Sequence, residues 1–272
     1  MSLRLLALFL AAGVGMAGCA TAPTDSRTRL IGVPLAATHA NLGFTITTGT
    51  KSRPACSGNA DCAVPAETDA ATGFAMQVQR LAEALQIGAE NLYPDLAERV
   101  PEMVGNRFEV YVVEDDEPGS ASSADGKIAL HSGLGLEQPY DDWLAFVIAR
   151  EMGHVIARHH EENSAASIIT SVIMNLIIPG SSLLKSALSA GASQIASISG
   201  REVQAQEADA IAMGLLNAAG FRHQDVSLAL RITPAGSDDS QWSRDFRQST
   251  DNFLEAQRGP TLFATSETAN SQ

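Results

Sequence analysis

The chain has 272 residues, enough for one domain of ordinary size with tails. Hydrophobic residues make up 45% of it and aromatics only 5%, so a core can form and must rest on Ala, Leu, Ile and Val. A formal net charge of -13 sets aside nucleic acid as a partner and a polybasic grip on anionic lipid, because phosphates repel such a chain.

In chain order, residues 1–18 read as a signal peptide. Arg4 supplies a basic start, and residues 5–16 form an apolar run too short to span a bilayer but suited to a signal core. The run ends in Met16-Ala17-Gly18-Cys19. Small residues before a Cys resemble the bacterial lipobox, in which the Cys is lipidated and becomes the new N-terminus, so Cys19 is the candidate lipidation site. By resemblance to sorted lipoproteins, the lack of Asp after Cys19 favours the outer membrane. The expected location is a bacterial cell envelope, with the chain lipid-anchored and facing the periplasm.

Residues 19–66 are rich in Thr, Ala, Ser, Gly and Pro without a sustained period, and read as a flexible tether with one candidate strand over 43–47. Export places Cys56 and Cys62 in an oxidising compartment, where the short loop between them, with Gly58 and Asn59, can close as a disulfide. Two free thiols are the other reading. The pair alone cannot hold a metal without further ligands.

The folded domain is expected over 67–235. Phe74, Val78, Leu81 and Leu85 recur at helical spacing and predict a helix over 68–86, with a short one over 93–100. Residues 107–113 alternate and are β-branched, which predicts a strand; 115–125 is a polar loop; 127–131 is a second short strand. Residues 141–163 predict the strongest helix, with Trp143, Leu144, Val147, Ile148, Val155 and Ile156 on its apolar face. The Ala- and Leu-rich stretch 164–199 is interrupted by Pro179-Gly180. It is open to two readings, a helical hairpin over the core or an element facing a membrane surface or partner. Further helices are expected over 201–219, closed by Gly220, and over 224–232. Residues 236–272 form a polar extension with a helix near 242–256 and a disordered end.

The chemistry concentrates at Arg150-Glu151-Met152-Gly153-His154. In the zinc motif His-Glu-x-x-His, two histidines four apart on one helix face hold a metal while the Glu polarises its water. Here Glu151 and His154 occupy the Glu and second His positions, and Arg150 occupies the first. On spacing alone the pair is equally an exposed polar face.

The surrounding residues carry a family resemblance. Leu144, Ala145, Val147, Ala149, Glu151, Gly153, His154, Val155, Arg158 and His159, then Glu207-Ala208-Asp209 and the run from Gly214 to Phe221, resemble the HtpX-like, BepA-like and CAAX-prenyl-protease metallopeptidases. The resemblance covers about residues 70–235. It implies an α+β, mainly helical, zincin-type metallopeptidase fold with a small sheet and a motif-bearing central helix. It further implies zinc as the family cofactor, Glu151 as the catalytic position, His154 as a ligand and Asp209 as support behind the ligands. Residues 108–134 resemble the strand-loop-strand whose edge pairs with substrate.

Two departures stand out. The first His position is Arg150, and the position four before Asp209, a ligand Glu in the family, is Ala205. Thr250-Asp251-Asn252 stands where relatives carry Thr-His-Pro. Glu207, Glu202, His159 and His160 do not replace the lost ligands on helical spacing: Glu207 is about 200° around the helix from Ala205. A guanidinium has no lone pair for a metal and puts positive charge at its position. Zinc is therefore expected to be absent or weakly held, with Arg150 as an internal counter-ion to Glu151 and Asp209. The expected function is a non-catalytic envelope protein that binds or escorts envelope proteins or extended polypeptides. An active zinc metalloendopeptidase with an unusual ligand set and a structural lipoprotein are the alternatives, so enzymatic status stays open.

Overall fold

The computed structural model describes residues 18–21, 28–31, 37, 40–41, 52–54, 69–136, 139–164, 198–233 and 240–257. Helix α1 (Asp69–Leu92) buries Phe74, Val78, Leu81, Leu85 and Ala89 along one stripe. It outruns the expected end at 86. Its last turns lie against a later helix so closely that a Cβ at Gly88 would meet the Leu215 carbonyl oxygen at 2.8 Å. A short helix α2 (Leu96–Arg99) then leads to the sheet. There Gln86 of α1 accepts from the Phe108 N–H at 3.0 Å and donates to the Asn106 carbonyl at 3.2 Å, which fixes the entry to the first long strand.

The sheet contains β3 (Ser52–Pro54), β4 (Glu109–Val113), β5 (Ser120–Ser122) and β6 (Lys127–His131), in the order β3-β4-β6-β5. Strands β4 and β6 run parallel, paired from Glu109 with Lys127 to Val113 with His131, while β3 and β5 lie antiparallel on the two sides. The chain between β4 and β6 is thus more than a loop: it contributes the edge strand β5. The stretch read as a tether likewise supplies β3, ending in Pro54 on an edge where a missing N–H is tolerated, and a separate hairpin of β1 (Gly18–Thr21) and β2 (Thr28–Ile31) that contains Cys19.

Helix α3 (Asp141–Ile156) is the centre of the molecule. Twelve of its residues are buried, from Trp143 through Ile156, and it packs on α1, on α4 (Ile198–Ala218) and on α5 (His223–Ile232). Gly220, at φ +90°, closes α4 as the sequence predicts, and α6 (Gln241–Gln257) completes the order. A mainly helical body with a small mixed sheet is the expected α+β class. The expected single helix over 141–163 is instead interrupted at Ala157-Arg158 and resumes over 159–164. No helix among the described residues is long and apolar enough to cross a membrane. Cys56, Cys62, the candidate strand over 43–47 and residues 165–197 lie outside the described residues.

Candidate functional site

Helices α3 and α4 cross where Gly153 faces Ala208. A Cβ on Gly153 would stand 2.6 Å from the Ala208 carbonyl oxygen, so only glycine permits this approach. The crossing brings Arg150 of α3 to Asp209 of α4, with Nε 3.1 Å from Oδ1 and side-chain exposures of 12% and 2%. The two atoms are within ion-pair distance without the alignment of a hydrogen bond. Ser249 of α6 donates its hydroxyl to the other Asp209 oxygen, and the guanidinium carbon lies 5.3 Å from the Phe246 ring centre. Burial pushes the Asp209 carboxyl above the ordinary carboxylate range, and Arg150 and Ser249 offset that only in part.

One residue along α3, Glu151 turns to the sheet. Ser120 Oγ donates to its Oε1 at 2.7 Å and Ser122 Oγ to its Oε2 at 2.6 Å, so alternate residues of β5 grip both carboxylate oxygens. Trp242 Nε1 of α6 donates to Ser120 Oγ at 2.9 Å, tying the last helix to the edge strand. His160 Nε2 stands 2.9 Å from Ser122 Oγ. The single Ser122 proton goes to Glu151, so this bond requires His160 in its Nε2–H form.

The break after Ile156 arranges the remaining histidines. Arg158 has φ 57°, the left-handed region, and its side chain reaches Glu161 at 2.7 Å and Glu102 at 3.4 Å. That turn swings His159 back under His154, their Nδ1 atoms 2.9 Å apart, while His159 Nε2 meets Glu207 Oε2 at 2.9 Å in the interior. Burial, then the neighbouring His159 and Arg150 charges, hold the His154 imidazole well below its usual range. Burial and His159 bring His160 down to about 4.

These groups line a cleft of about 580 Å3 between β5, α3, α4 and α6. It gathers Arg150, Glu151, His154 and Ala205, four residues singled out from sequence, with Asp209 behind Arg150. Arg150, expected as a counter-ion to both carboxylates, stands within ion-pair distance of Asp209, while Glu151 accepts from serines. Glu207 does turn from Ala205, and its target is His159. Thr250 lies inside α6, its hydroxyl bonded to the Phe246 and Arg247 carbonyls at 3.0 Å each, and Asn252 borders the cleft. Sequence reasoning missed Ser120, Ser122, Trp242 and Phe246, which no motif spacing marks. It set aside His159 and His160 because an unbroken helix would carry them elsewhere.

A zinc ion does not fit these side chains. The Arg150 head, which can donate no lone pair, lies at the floor of the cleft against Asp209, and Ala205 offers no donor atom. Among the described residues no three His, Cys, Asp or Glu side chains are grouped to hold a metal ion.

A family model described as Peptidase family M48, a zinc-dependent metallopeptidase family, matches residues 74–265. Comparison with curated proteins gives no match.

Proposed function

This chain belongs to peptidase family M48, and we propose that it is a non-catalytic member whose cleft binds extended polypeptides of the bacterial envelope. The observation that carries the reading is the Arg150–Asp209 pair. It occupies the ground where the resemblance puts a metal ligand, and it gives Asp209 a cation without any metal. Among the described residues no strand pairs with the outer side of β5, which supports the choice of ligand. That side borders the cleft beside Glu151, and an extended chain can add to such an edge by backbone hydrogen bonds. Retention in the envelope rests on the signal pattern ending at Cys19, the proposed lipidation site. The client proteins would be met at the periplasmic face of the outer membrane.

The test is metal analysis of the purified chain together with a peptidase assay on an unfolded protein. The expected result is substoichiometric zinc and no hydrolysis. Stoichiometric zinc, with hydrolysis that Glu151→Gln abolishes while zinc stays bound, would overturn the reading in favour of an active zinc metalloendopeptidase. Arg150→His combined with Ala205→Glu should restore zinc binding if only the ligands are missing. Labelling with a radioactive fatty acid, lost in Cys19→Ala, tests the anchor.

A further inference from the structure

We propose that the cleft selects extended polypeptides carrying a basic side chain, whose ammonium or guanidinium is received by Glu151. The inference rests on the polypeptide-binding reading and adds the class of chain that is bound.

Glu151 is only 9% exposed. Both its oxygens accept serine hydroxyls, which orient the carboxylate without neutralising it. Among the described residues it makes no ion pair: the cations of this region are committed elsewhere, Arg150 to Asp209 and Arg158 to Glu161 and Glu102. His160 touches the same serine and is held neutral at ordinary pH. A carboxylate this buried, with hydrogen bonds and no counter-ion, leaves an electrostatic need that a cation from outside would meet.

The rest of the cleft has the same sign. Glu202 and Asp245 join Glu151 on its lining, against Arg150 as the sole Lys or Arg there among the described residues. Arg150 faces Asp209, so its charge is already matched. The whole chain, at -13, draws cations toward itself before contact. Trp242 suits the stem of a long basic side chain: it lines the cleft, its Nε1 donates to Ser120 Oγ at 2.9 Å beside Glu151, and an aromatic ring takes both methylene groups and positive charge. A chain added to the β5 edge would project alternate side chains to one face, the face on which Ser120 and Ser122 meet Glu151.

The experiment is fluorescence anisotropy of the full chain with labelled peptides of one unstructured sequence, carrying Lys, Arg, Gln or Glu at the central position. The Lys and Arg peptides should bind about tenfold tighter than the Gln peptide, as expected for a desolvated charge pair. The Glu peptide should bind weakest, and the preference should shrink as salt rises. Glu151→Gln should erase the preference while the Gln peptide still binds. The rim variant Glu202→Gln with Asp245→Asn, both exposed positions, should reduce it by a smaller factor and serves if Glu151→Gln fails to fold. Equal affinity for all four peptides overturns the inference and leaves polypeptide binding intact. Binding of none overturns both. A Lys preference unchanged in Glu151→Gln removes Glu151 as the receiving charge.

Discussion

Arg150 and Asp209, on different helices, meet with Nε 3.1 Å from Oδ1 at almost zero solvent exposure of the carboxylate. Arg150→Ala would leave Asp209 buried without a cation, and stability should fall by about 3–5 kcal/mol in chemical denaturation. Replacing both, Arg150→Met with Asp209→Leu, should recover most of that loss, because the desolvation of two charges disappears with the pair. A double variant as unstable as the single would mean that packing, and not charge, sets the cost.

Gly153→Ala should be destabilising by about 1–3 kcal/mol, the usual range for an overfilled interior. The added methyl meets the backbone oxygen of Ala208, which cannot turn aside as a side chain can. Because α4 carries Asp209, the variant should also weaken the Arg150 pair, seen as a smaller further loss on Arg150→Ala than in the parent chain.

Ser122→Ala and Ser120→Ala should each cost about 1–3 kcal/mol, since each strips a hydrogen bond from the buried Glu151 carboxylate. Only Ser120→Ala should shift the tryptophan emission spectrum, because Ser120 is the acceptor for the Trp242 N–H. A matching shift in both variants would show that β5 had come away as a whole.

The chain should lose stability on acidification from about pH 6.5 toward pH 4. His160 titrates at about 4 when folded, below the ordinary histidine value of 6.5. The unfolded chain therefore takes the proton first, and the loss runs from the unfolded value down to the folded one. Its size for this group is up to about 3 kcal/mol. His154, lowered in the same direction, adds to it. Denaturation curves at stepped pH check this, and His160→Gln should flatten the slope.

Much of this was legible because it is local and periodic. The stripe Phe74, Val78, Leu81 and Leu85 and the apolar face of α3 report helices directly, and Gly220 marks a helix end. Arg150, Glu151, His154 and Ala205 come together because two helices cross at Gly153, a relation carried by the paired motifs. Strand β5 was not legible. Ser120-Ala121-Ser122 has no β-branched residue, and it becomes a strand only through pairing with β6 across the intervening turn. The placing of the histidine pair was not legible because of one backbone torsion: with Arg158 left-handed, positions 159 and 160 no longer follow helical spacing from His154. Trp242 and Phe246 reach the site over long sequence separation, which no local pattern encodes.

Helix α6 is fastened on two sides, by Trp242 to the edge strand and by Ser249 to Asp209. It bridges the sheet side of the cleft and the helical side like a clasp. Any guest large enough to spread those walls must first undo one fastening, so the free energy of undocking α6 is subtracted from every such association. Entry is then slowed and binding weakened, and a loosened clasp would relieve both.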